Sequence, residues 1–188
     1  MMIQIIKNKK QAFTLIEMII ATVLFLTAMI VSVSIFLSTL DANNKVNALQ
    51  KVENEIRYIV ETISKEIRLG TIYYGYYEDK YGDSFENPTS MLALQDNANN
   101  LSYFTLNDGV VQMSLNDGVD WSDLSTDNIL INSLDFYLMP ETNPFSQDSE
   151  NIKQPMIILY LEAHYNKEAS FDGQIKIQTT ISSRQYRK

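Results

Sequence analysis

Glu17 is the only charged side chain between Phe13 and Leu40. A carboxylate at bilayer depth costs roughly 2.5–3.5 kcal/mol on insertion scales, and less near the interface. Such a group, in a run otherwise free of charge, implies a task. The chemistry open to it is pairing with an amine in a low-dielectric setting, where opposite charges attract strongly and each relieves the other's desolvation. The bland alternative is a carboxylate that reaches the headgroups and pairs with nothing specific. Asp117, Asp120 and Asp123 surround Trp121, and oxygen-rich loops are what calcium uses. Their spacing does not match an EF-hand, so a solvated acidic loop without metal is expected. His164 is the single histidine and falls in a predicted strand, where a lone histidine reads as structural. There is no cysteine, hence no disulfide framework and no thiolate metal site. Six thinly spread glycines form no phosphate loop. Serines and aspartates without a placed base assign no nucleophile. The residues therefore predict no catalytic group, no metal and no cofactor, and the chain reads as a non-enzyme.

The element that must position Glu17 is a helix. The 28 positions from 13 to 40 would make about 42 Å of helix at 1.5 Å per residue, enough to cross a ~30 Å hydrocarbon core. Lys7, Lys9 and Lys10 precede the run. Positive charge stays cytoplasmic, so the N-terminus is expected inside and residues from about 41 onward outside. An ordinary cleaved signal peptide would have a shorter apolar core, followed by a small-residue cleavage site; this run is longer and no clear Ala-x-Ala follows it. A plain signal anchor fits length and lysines equally well, and only the order Phe-Thr-Leu-Ile-Glu separates the two.

Residues 7–22, Lys-Asn-Lys-Lys-Gln-Ala-Phe-Thr-Leu-Ile-Glu-Met-Ile-Ile-Ala-Thr, resemble the N-terminal cleavage and methylation segment of type IV prepilins and type II secretion pseudopilins. The resemblance covers roughly the first 40 residues. It implies a cytoplasmic leader over 1–12, cleavage between Ala12 and Phe13 by a prepilin peptidase, and a mature chain that begins at an N-methylated Phe13. Family leaders usually end in Gly, where this one has Ala12. Glu17 would be the fifth mature residue, which in the family pairs with the N-terminal amine of a neighbouring subunit. The implied partners are other pilin or pseudopilin subunits, the peptidase and an inner-membrane platform protein. The implied location is the cytoplasmic membrane, single-pass with the C-terminal domain outside, and then the pilus or pseudopilus. Secretion, motility, adhesion and DNA uptake all use this plan. No helix-bending Pro lies between 13 and 69, unlike many major pilins, which favours a minor subunit. Gln154-Pro-Met-Ile-Ile-Leu-Tyr-Leu and Gln178-Thr-Thr-Ile-Ser-Ser-Arg also look like the last strands of minor, J-like members.

The remaining 148 positions, 41–188, can support a core. Net charge is −8, which argues against nucleic-acid binding by the free subunit because phosphate contacts need a basic surface. Asp41-Ala-Asn-Asn reads as a polar break, a kink or local cap. Beyond it Leu49, Val52, Ile56, Ile59, Ile63 and Ile67 recur at steps of three and four, an amphipathic second half of the helix over 41–69. Glu53 with Arg57 and Glu61 with Lys65 are spaced for ion pairs, and Gly70 is the stop. Residues 71–100 read as an irregular, tyrosine-rich connection, long enough to hold a short strand or helix. From 101 to 183 the pattern is an antiparallel sheet: 101–106, 110–115, 129–139, 155–164 and 174–183. Leu-Asn-Asp-Gly-Val occurs at 106–110 and at 115–119, which predicts consecutive hairpins. The expected fold is α+β and pilin-like: a long N-terminal helix, membrane-spanning over 13–40, packed on an antiparallel sheet in one outer domain over 41–188. The competing reading is a membrane-anchored extracellular binding module that never enters a fibre.

Overall fold

The computed structural model describes residues 13–82, 85–144, 154–165 and 174–183. The chain divides into two compact units, Met1–Lys45 and Val46–Lys188. Helix α1 (Leu15–Leu69) is continuous through Asp41-Ala-Asn-Asn, so the predicted break does not form. The cost there is small, a few tenths of a kcal/mol each for Asp and Asn, and Ala42 favours the helix.

In the first unit every described residue, Phe13 to Lys45, is exposed. Four hydroxyls in this stretch bond to their own backbone. The hydroxyls of Thr22, Thr27, Ser32 and Thr39 donate to the carbonyls of Met18, Leu24, Ala28 and Ile35 at 2.7, 2.9, 2.8 and 2.8 Å. In hydrocarbon an unsatisfied hydroxyl would be expensive, and back-bonding to the preceding turn removes that cost.

In the second unit α1 buries Ala48, Val52, Ile56, Ile59, Ile63 and Ile67. The predicted stripe is correct except at its start, where Ala48 rather than Leu49 faces inward. Positions three and four before Val52 both neighbour it on a helix, and the smaller side chain takes the inner place. The Arg57 guanidinium donates to Glu53 at 3.0 Å. Glu61 and Lys65 do not come within ion-pair distance.

The strands form two antiparallel sheets, where one was expected. The first holds β1 (Thr71–Ile72), β2 (Met91–Gln95), β3 (Leu101–Asn107), β4 (Val110–Ser114) and β5 (Ser122–Asp123), in that order. The second holds β6 (Ile129–Met139), β7 (Met156–Tyr165) and β8 (Gln174–Ser182). A bridge between Thr89 and Phe136 links them. Strand β7 turns Ile157, Leu159, Leu161, Ala163 and Tyr165 inward at a period of two. The α1 stripe, the inner faces of both sheets and Phe85 share one apolar core.

The segment 71–100 is more ordered than its composition suggested. It supplies β1, β2 and helix α2 (Tyr74–Tyr81). No side chain caps α2 at Tyr73; burial holds it instead. The buried Tyr77 hydroxyl donates to the Met91 carbonyl at 3.1 Å and accepts the Ala93 N–H at 2.9 Å, and the Tyr74 hydroxyl donates to the Pro140 carbonyl at 3.0 Å. Burial pushes the phenols of Tyr74 and Tyr77 well above the ordinary tyrosine range. At the end of α1, a side chain on Gly70 would sit 2.9 Å from the Gln95 carbonyl oxygen, which requires glycine there. The Ser183 hydroxyl donates to the Gly70 carbonyl at 2.7 Å and ties the end of α1 to the chain just after β8.

Candidate assembly site at the helix N-terminus

Thr14 stands immediately before α1 and Glu17 in its first turn. The two side chains bond reciprocally. Thr14 Oγ1 accepts the Glu17 N–H at 3.3 Å, and Glu17 Oε2 accepts both the Thr14 N–H and the Thr14 hydroxyl at 3.3 Å. This is a capping box, and it satisfies donors that a helix start otherwise leaves open. The positive end of the helix dipole favours an acid at this position. Part of the cost of placing a carboxylate in an apolar run is thereby met within the chain itself. Glu17 Oε1 makes no hydrogen bond among the described residues and can accept from a donor outside the chain, since an ionised carboxylate offers about four lone-pair sites.

Phe13 is 78 % exposed and lies one residue before Thr14. Ala12, the other predicted processing residue, lies outside the described residues, as does the leader over 1–12. The structure thus brings Phe13, Thr14 and Glu17 to one helix end. Sequence reasoning missed Thr14; the signal was the spacing Thr-x-x-Glu before an apolar run. What this arrangement can do chemically is accept a cation, or a hydrogen-bond donor, at an acid already oriented by its own helix.

The acids near Trp121 do not converge. Asp117 Oδ1 accepts the Leu101 N–H at 2.9 Å, Asp120 Oδ2 accepts from Asn116 Nδ2 at 2.6 Å, and Asp123 Oδ1 accepts from Gln112 Nε2 at 2.9 Å. Among the described residues no three His, Asp or Glu side chains come together as metal ligands. His164 lies in β7, paired in register with Leu130 and Gln174. On the outer face of the second sheet, the Lys176 ammonium at 2.8 Å and the Tyr160 hydroxyl at 3.0 Å hold the Glu162 carboxyl below the usual carboxylate range. In that cluster Tyr160 and Glu162 are half-buried and Lys176 is exposed.

Residues 7–33 match the family model described as the prokaryotic N-terminal methylation motif. The match supports placing the chain in the type IV prepilin and pseudopilin family, and with the apolar helix it supports a membrane-anchored protein. No curated protein and no solved structure matches the chain.

Proposed function

We propose that this pilin-type precursor is a structural subunit, cleaved between Ala12 and Phe13, methylated at Phe13, and assembled into a type IV pilus or a type II secretion pseudopilus. The observation that carries the reading is the helix N-terminus. A segment exposed on every side, with four of its hydroxyls turned onto its own backbone, holds one acid whose second oxygen makes no hydrogen bond among the described residues. In this reading the Phe13 amine of one subunit pairs with Glu17 Oε1 of its neighbour, and residues 13–40 form the apolar centre of the fibre. The charge pair neutralises two groups that would each be costly alone in an apolar medium.

Lys7, Lys9 and Lys10 keep the N-terminus cytoplasmic, and the peptidase and platform protein act from the membrane. The outer unit projects to the far side. A minor subunit is favoured by the absence of a helix-bending Pro between 13 and 69, and the J-like kind by the likeness of residues 154–161 and 178–184 to the last strands of such members.

The test is Glu17→Gln, which keeps shape and removes charge. Incorporation into sheared fibres should fall by about 100-fold, equivalent to ~2.8 kcal/mol, while membrane insertion and the level of the chain stay unchanged. Incorporation equal to wild type would sink the pairing role. A chain absent from fibres with either residue at position 17 would favour the anchored binding module.

A further inference from the structure

Two surface features of the Val46–Lys188 unit complement each other, and neither involves the helix N-terminus. The first is a knob tipped by Val119, the Leu115–Trp121 connection between β4 and β5, with a shallow hollow of about 310 Å³ at its side lined by Leu115, Asn116, Asp120, Trp121 and Ser122. Asn116 Oδ1 accepts the Asp120 N–H at 3.0 Å and the Ser114 hydroxyl at 3.1 Å, and Ser114 Oγ accepts the Gly118 N–H at 3.1 Å. Trp121 Nε1 donates to the Gly118 carbonyl at 3.1 Å. On this tied frame Leu115, Val119 and Trp121 are 51, 75 and 39 % exposed. Inward from Trp121 the rings of Tyr103, Tyr76 and Tyr77 follow at centroid spacings of 6.4, 5.7 and 5.2 Å, anchoring the knob to the core. A preorganised loop that displays apolar side chains loses little conformational freedom on docking. The stretch of chain that carries the knob is acidic. From residue 81 to residue 152 the chain has twelve acidic side chains and no Lys or Arg, and Asp117, Asp120 and Asp123 are all exposed.

The second feature is a groove of about 670 Å³, walled by Val60, Ser64, Lys65, Arg68 and Leu69 of α1 and by Thr179 of β8, with Glu61 also on its wall. That volume is in the range of pockets that hold a drug-sized group, roughly 300–1,000 Å³. Strand β8 is the outer strand of its sheet, so the groove runs along an open edge. Lys65 and Arg68 have no hydrogen bond or ion pair among the described residues, whereas Arg57 is paired with Glu53 and Lys176 with Glu162. Leu69 is 56 % exposed beside them.

We infer that the Trp121 knob of one copy docks into the α1–β8 groove of a second copy, with Val119 and Trp121 against Val60 and Leu69 and the flanking aspartates facing Lys65 and Arg68. The charges select this occupant: an acidic, apolar-tipped knob and an unpaired basic pair beside an apolar wall occur on the same chain. Knob and groove share no residue, so a single docking leaves a free groove and a free knob; the pair can close reciprocally about a two-fold axis or take up further copies head to tail. Three apolar side chains bury less than a standard interface. The contact is therefore weak between diffusing copies and becomes populated where a membrane holds copies side by side. It requires only that copies share a membrane, not that they enter a fibre.

The chain contains no cysteine, so introduced thiols report on this contact alone. Differently tagged full-length copies, one with Val119→Cys and one with Ser64→Cys, are produced in the same membrane and mildly oxidised. The mixed disulfide dimer should exceed the dimer from either variant alone by about tenfold. Adding Lys65→Glu to the Ser64→Cys copy, or Asp123→Lys to the Val119→Cys copy, should cut the mixed dimer by about tenfold, and both reversals together should restore it. In a Glu17→Gln background the mixed dimer should persist even where fibre incorporation is lost, which separates this contact from the role of Glu17. A mixed dimer no more abundant than the single-variant dimers overturns the inference. So does failure of the double reversal to restore it, or capture by Val119→Cys of a different protein only.

Discussion

Leu15, Ile30 and Phe36 are 79, 68 and 61 % exposed, whereas Val52, Ile59 and Ile63, further along the same helix, are fully buried. Both stretches are rich in aliphatic residues, but they distribute them differently. Before Lys45 apolar side chains point in every direction, and no face is set aside for water. After Val46 the buried positions recur at steps of three and four, and the opposite face carries Glu53, Arg57, Glu61, Lys65 and Arg68. A helix that is apolar all round needs an apolar medium all round, either lipid or other helices like itself. A helix with one apolar stripe needs a single packed partner, here the two sheets. Helix α1 is thus one element of secondary structure with two solvents. Glu17 belongs to the first environment and the folded core to the second.

Truncating one aliphatic residue in each stretch separates the two environments most strongly. Ile63→Ala should destabilise the outer unit by about 2–5 kcal/mol, as deletion of a buried aliphatic does. Ile30→Ala should leave its stability within about 0.5 kcal/mol. Denaturant unfolding of the full chain in detergent micelles, followed by Trp121 fluorescence, reads both. Equal effects would mean that the first stretch is also part of the outer unit's core. Gly70→Ala tests how tightly the second stretch is seated: the added methyl meets the Gln95 carbonyl, and a loss of roughly 1–3 kcal/mol in the same assay is expected from overpacking. An unchanged midpoint would show that the end of α1 can shift freely. The smallest effect belongs to the first stretch. Thr14→Val removes the cap and should cost the first turn about 0.5–2 kcal/mol, while Thr14→Ser should keep it. Hydrogen exchange of the amides of residues 15–18 would show the difference, with the outer unit unaffected.

The helix and most of the strands were legible in the sequence because their periods are strong. Strand β6 begins and ends where the pattern placed it, and β3, β4, β7 and β8 differ by single residues at their ends. Strand β2 was not legible for a physical reason: Leu92, Ala93 and Leu94 are all buried, so the strand shows no alternation, and it contains no β-branched residue. Helix α2 is tyrosine-rich and has no side-chain N-cap, and burial of Tyr74 and Tyr77 with the hydrogen bonds of their hydroxyls holds it. The two copies of Leu-Asn-Asp-Gly-Val show how far identical residues can diverge. In the first, Asp108 and Gly109 take φ of 48° and 79° and close a two-residue hairpin. In the second, Asp117 and Gly118 have similar angles of 58° and 80°, yet the chain runs on to Ser122 before pairing resumes. The residues just past each turn decide the loop. Val110 continues into strand β4, whereas Val119-Asp-Trp makes a displayed knob. At the candidate site Glu17 was legible as an isolated acid, but its cap was not read, although Thr14 stands three residues before it.

Pairing of the Phe13 amine with Glu17 of a neighbour requires Phe13 to be the first residue of the mature chain. Intact mass and terminal sequencing of the protein from native membranes tests that directly. A chain that begins at Phe13 and carries one added methyl group is the predicted result. A chain that retains residues 1–12 in the presence of an active prepilin peptidase would contradict the assembly role.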